Sequence, residues 1–122
     1  MPRADDDEVR AKLRARGAAA YIIREGAEGL LARWREFVDA VESGYRLGLD
    51  DYRNDLDIRS LIEAVGLGAE VAGEDARLRR LLGHTDQTVW SSDASEAFWV
   101  KGYPKNASGE LLNDLRGAGF AS

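Results

Sequence analysis

The strongest constraint on this chain is an apolar series at three- and four-residue steps: Leu30, Leu31, Trp34, Phe37, Val38, Val41 and Tyr45. Such spacing gathers side chains on one face of an α-helix, whereas a strand alternates its faces every two residues. Arg33, Glu36, Asp39 and Glu42 fill the opposite face, so 27–43 reads as an amphipathic helix. Gly44 follows, where a helix C-terminus favours glycine. Trp34, central on the apolar face, is expected in the core.

Around this helix the chain divides at glycines. Residues 5–16 read as a first helix, acidic at its start and basic towards its end, as the helix dipole favours. Only Val9 and Leu13 are apolar at helical spacing there, so it is expected to lie on the surface. A short apolar helix over 18–25 precedes Gly26. In 49–65, Leu49, Tyr52 and Leu56 mark one face and Ile58, Leu61, Ile62 and Val65 another. The two sets diverge around a straight helix, which predicts a break near Asn54 with Asn54 as a new cap. Residues 74–82 form a further helix stopped by Gly83. Thr88-Val-Trp90 and Phe98-Trp-Val100 read as the strands of a hairpin around a polar loop. Asn106 is then placed to cap a last helix carrying Leu111, Leu112 and Leu115.

These elements predict one globular domain over 1–122: a mainly α (α+β) bundle of about five or six helices with one late β-hairpin packed on it. An isolated hairpin is marginal in water, so the helices must cover it. With 44% apolar and 32% charged residues the chain can build such a core and is unlike a disordered segment.

Composition removes several chemistries. No cysteine is present, which excludes disulfides, thiol catalysis and cysteine-based zinc sites. The single histidine, His84, excludes a multi-histidine metal site. Phosphate-binding and dinucleotide-binding glycine motifs are absent, as is a nucleophile elbow. The carboxylates around Asp55-x-Asp57 lack the glycine of a calcium loop, so neither metal nor cofactor is expected. No apolar run approaches the roughly 20 residues of a membrane span, and the start of the chain is acidic and polar. The expectation is a cytoplasmic protein without membrane contact. Abundant alanine and a preference for arginine over lysine suggest a bacterial source.

Charge supplies the functional lead. The net charge is −5. Glu36, Asp39, Glu42, Asp50, Asp51, Asp55, Asp57 and Glu63 face only Arg46, Arg53 and Arg59 within their stretch, and the remainder balances. The whole excess therefore sits in one segment, which repels nucleic acid and attracts basic proteins. Asp50, Asp51, Tyr52, Asp55 and Asp57 are the expected partner-binding residues. Phe98 and Trp99 would point to opposite faces of a strand, so an exposed Trp99 beside Tyr103 is a second expected anchor. The predicted function is a small acidic, non-catalytic protein-binding module. More finely, it is an inhibitor, immunity protein or antitoxin that occludes a basic partner such as a nuclease.

Two other readings stand beside it. Arg79-Arg-Leu-Leu-Gly-His84 has the Arg-x4-His spacing and resembles the motif of HEPN-domain ribonucleases, which are helical bundles. The resemblance implies a small RNA-processing enzyme using Arg79 and His84. The chain departs from that pattern in having Gly83 between the two residues and Arg80 where a polar residue is usual. The last reading is a structural subunit of a larger assembly.

Overall fold

The computed structural model describes residues 6–88 and 98–119. In chain order these form α1 (Asp6–Ala15), α2 (Ala20–Ser43), α3 (Leu49–Ala64), a 3-10 turn (Gly68–Val71) and α4 (Ala72–Leu81). Then come β1 (Leu82–Thr88), a second 3-10 turn (Phe98–Val100), β2 (Lys101–Pro104) and α5 (Gly109–Gly117). The fold is mainly α, with one antiparallel pair of strands among the described residues.

Helix α2 is the centre, with α1, α3 and α4 packed on it. Its apolar series is interior as the periodicity predicts: Leu30, Leu31, Trp34, Phe37, Val38, Val41 and Tyr45 are all buried. The separation expected between 18–25 and 27–43 is a sharp kink. Gly26 lies at φ 66°, ψ −152°, a backbone conformation open essentially to glycine alone. The kink folds Glu25 back along the helix. A Cβ on Gly29 would lie only 2.3 Å from that of Glu25. Helix α1 braces the same place. Arg10 donates to the carbonyls of Ile23 and Arg24, in the turn before the kink (3.1 and 3.2 Å). Val9 and Leu13 are completely covered, so α1 is docked more firmly than its sparse apolar content predicted.

Helix α3 corrects the expected break at Asn54, for it runs unbroken from Leu49 to Ala64. Its buried row is Leu49, Tyr52, Leu56, Arg59 and Ile62, while Ile58 and Leu61 remain half-exposed. A straight helix is possible because a charged residue, Arg59, occupies an inward position. Of the second apolar set, Ile62 and Val65 then share the same core, and only Ile58 and Leu61 stay partly outside it.

The hairpin is also displaced from its expected position. β1 leaves α4 without a glycine stop and pairs with β2, Leu82 opposite Pro104 and Gly83 opposite Tyr103. Phe98–Val100 is a 3-10 turn, not a strand. Successive residues there diverge by about 120° rather than 180°, so two adjacent rings can serve two neighbouring helices. The Arg79 guanidinium of α4 lies 4.3 Å over Phe98, and Arg59 of α3 lies 4.4 Å over Trp99. Val89, Trp90 and the expected loop over 91–96 lie outside the described residues.

Segment 106–117 closes the bundle. Asn106 does not cap α5, whose N-cap is Ser108. Its amide instead donates to the carbonyl of Val41 at the end of α2, at 3.0 Å. Asp114 of α5 accepts from the backbone N–H of Leu49, the first residue of α3, at 2.9 Å. Gly48 carries no cap of its own, and a Cβ there would meet this carboxylate at 2.6 Å. The facing ends of α2 and α3 are thus both satisfied by a segment more than sixty residues away.

Candidate functional site

A groove of about 590 Å³ lies between α2 and α3. From α2 it takes Tyr21, Arg33, Glu36 and Phe37, from the connecting loop Tyr45, Arg46 and Leu47, and from α3 Asn54, Asp55 and Ile58. Tyr21 and Leu47, about half exposed, are the large apolar side chains left open to solvent among the described residues. Both line this groove, Tyr21 from the start of α2 and Leu47 from the α2–α3 connection.

Asp55 is half-buried in the groove. Tyr45 donates its hydroxyl to Asp55 Oδ2 at 2.5 Å. Burial raises the Asp55 carboxyl above its ordinary range and Asp51, one helical turn away, adds to the rise; the Tyr45 hydrogen bond and the Arg33 charge act against it. The Tyr45 hydroxyl is pushed up chiefly by burial and further by holding a carboxylate. Arg33 is bound twice by Glu25, at 2.8 and 3.0 Å, and its guanidinium lies 4.9 Å from the Tyr21 ring centroid. That pairing lowers the pKa of Glu25 and raises that of Arg33. The groove thus depends on the Gly26 kink, which brings Glu25 over its own helix.

The structure separates the expected contact residues into two groups. Asp50, Asp51 and Asp57 are exposed on the outer side of α3, and Asp55 faces the groove. Asp50 makes a long ion pair with Arg53 at 3.9 Å, whereas Asp51 and Asp57 have none among the described residues. Tyr52, Trp99 and Tyr103 are buried instead. Tyr52 packs against Phe37 and Tyr45, and its hydroxyl has no hydrogen-bond partner among the described residues. Trp99 donates to Ser60 at 3.3 Å. The expected exposed tryptophan is therefore a packing residue, because the 3-10 turn aims it at α3. Other acids of the segment are neutralised from outside it: Arg77 of α4 binds Asp39 and Glu42 at 2.8 and 3.0 Å. The negative excess consequently narrows to α3 and the groove.

Sequence reading missed the polar group at the centre of the bundle. Arg59 donates to both oxygens of Asp75, with Nη2 to Oδ2 at 2.8 Å, and to Glu63 at 3.0 Å. Trp34 donates its indole N–H to Asp75 Oδ1 at 3.0 Å. Every member but Glu63 is buried, so the network joins α2, α3 and α4 rather than offering a surface for chemistry. One signal was available: Arg59 falls in step with Tyr52, Leu56 and Ile62.

Arg79 and His84 do not share a helix, for α4 ends at Leu81 and His84 lies on β1. The His84 side chain lies outside what the structure describes. Among the described residues, no group of three histidine, aspartate or glutamate side chains is placed to hold a metal ion. No helix there is long and apolar enough to cross a membrane.

In comparisons with known proteins, no protein-family model matches the chain, no curated protein matches its sequence and no solved structure matches it.

Proposed function

We propose that this chain is a non-catalytic protein-binding module that holds a basic partner on α3 and the adjoining groove. One observation carries the reading. The exposed large apolar side chains, Tyr21 and Leu47, share one groove with the half-buried Asp55. Asp50, Asp51 and Asp57 stand on the outer side of the same helix. Apolar side chains grouped within a charged rim mark interaction surfaces. Exposed acids of one sign steer a basic partner to such a surface. Within this class, an inhibitor, immunity protein or antitoxin covering the basic surface of a nuclease fits best, its acids standing in for phosphates.

The test uses two baits, the wild-type chain and a variant with Asp50→Lys, Asp51→Lys and Asp57→Lys. Proteins retained from a cell extract are identified by mass spectrometry, and the selected partner is purified and titrated. The expected result is a basic partner whose association slows at least about tenfold for the variant. It should slow likewise at roughly 1 M salt, where the screening length falls to about 3 Å. An affinity indifferent to both changes removes the acidic face from the interface.

A further inference from the structure

We propose that the α2–α3 groove seats one lysine or arginine side chain of the partner, its cation at Asp55 and its alkyl stem along Tyr21, Leu47 and Ile58. The inference rests on the protein-binding reading and names what the groove recognises.

Charge is the first argument. Four charged side chains line the groove: Arg33, Glu36, Arg46 and Asp55. Arg33 is already held by Glu25 through two hydrogen bonds. Glu36 and Asp55 then outnumber Arg46, and Asp51 stands one helical turn from Asp55. Asp55 is also only half satisfied: Oδ2 accepts from Tyr45, while Oδ1 has no hydrogen-bond partner among the described residues. A half-buried carboxylate with an open oxygen is stabilised most by a cation that brings its own donors.

Ring chemistry is the second argument. Tyr21, Phe37 and Tyr45 all line the groove. Phe37 and Tyr45 meet edge to face, with centroids 5.7 Å apart and planes at 71°. Tyr21 already carries a guanidinium, that of Arg33, at 4.9 Å. Aromatic faces attract cations through the ring quadrupole, and arginine and lysine stems lie readily along apolar surface. The groove volume of about 590 Å³ exceeds what one long side chain needs, so flanking residues of the partner can cover Tyr21 and Leu47 as well.

The experiment titrates isotope-labelled protein with three probes and follows the Asp55 carboxyl and Tyr45 ring resonances. The probes are n-butylammonium, butyrate, and a Leu-Lys-Leu tripeptide blocked at both ends. Both cations should shift these resonances saturably, the tripeptide at least about tenfold more tightly, and butyrate should not. Asp55→Asn keeps an oxygen for the Tyr45 hydroxyl, and near-ultraviolet circular dichroism checks that the variant is folded. It should weaken tripeptide binding at least about tenfold. Binding of butyrate, or an unchanged Asp55→Asn variant, overturns the proposal. So does an amine that binds as tightly as the tripeptide, since the groove would then serve a free small amine. The Asp50, Asp51 and Asp57 triple reversal separates the two readings. Partner binding lost in the triple variant, with no probe response at Asp55 in the wild type, defeats the groove proposal alone. A probe response at Asp55 with no basic partner dependent on the outer acids defeats the module reading.

Discussion

Arg59 of α3 and Asp75 of α4 form an ion pair in the interior of the bundle, with Arg59 Nη2 2.8 Å from Asp75 Oδ2. The Trp34 indole completes the Asp75 carboxylate, and Trp99 covers the guanidinium. Removing one partner leaves the other charge buried without compensation. Arg59→Met should cost roughly 3–5 kcal/mol by chemical denaturation. The double variant with Asp75→Leu should recover most of this, short of the roughly 1–3 kcal/mol for the Trp34 N–H left without an acceptor. A single variant within about 1 kcal/mol of wild type would mean that water reaches the pair.

Tyr52 presents the opposite case, a buried hydroxyl without a partner among the described residues. Tyr52→Phe removes a desolvated polar atom and keeps the ring contacts with Phe37 and Tyr45. It should stabilise the chain by roughly 1–2 kcal/mol, read as a raised melting temperature. A lowered melting temperature would show that the hydroxyl is bonded in solution.

At the kink, Gly26→Ala places a side chain at φ 66°, ψ −152°. The expected cost is about 1–3 kcal/mol. The pairing of Glu25 with Arg33 depends on the same bend, so the Glu25 carboxyl should return upward towards its ordinary range in the variant. Carboxyl titration by nuclear magnetic resonance measures this. An unmoved Glu25 would mean that the bend survives without glycine.

The two caps supplied by the C-terminal segment are separately testable. Asp114→Ala uncaps the start of α3 and Asn106→Ala the end of α2. Each should cost roughly 0.5–2 kcal/mol. Hydrogen exchange should quicken at the start of α3 in the first variant; exchange that quickens only within α5 would assign Asp114 to its own helix.

Asp55 carries a pH signature. Burial raises its carboxyl above the ordinary 3.8 in the folded chain. Between these two values the folded chain keeps a proton that the unfolded chain has released. The contribution of Asp55 to stability is therefore greatest at low pH and falls as pH rises through the folded value. Asp55→Asn cannot ionise, so it should gain stability relative to wild type as pH rises above the ordinary 3.8. Paired urea melts across a pH series measure the difference, and a relative loss with rising pH would contradict the direction of the shift.

The amino-acid sequence by itself determined the helical class, the buried face of α2 and its division at Gly26. It also placed the negative excess in one segment that includes Asp50, Asp51, Asp55 and Asp57, without separating the exposed acids from Asp55. These follow from spacing, charge and backbone freedom, which act within a few residues. Tertiary structure decided everything that depends on a distant partner. Arg59 falls in step with the buried row of α3, but only the meeting with Asp75 compensates a charge at an inward position, so apolar spacing alone predicts a break. Asn106 and Asp114 cap helices far from them in sequence, whereas capping rules assign a residue to its nearest helix. Phe98 and Trp99 have strand propensity, yet a 3-10 turn lets them cover two arginines on different helices. The groove is the clearest case, for Tyr21, Leu47 and Asp55 lie in separate segments. Only the bend at Gly26 and the packing of α3 on α2 bring them together, because side-chain proximity across a bundle is a property of packing and not of periodicity.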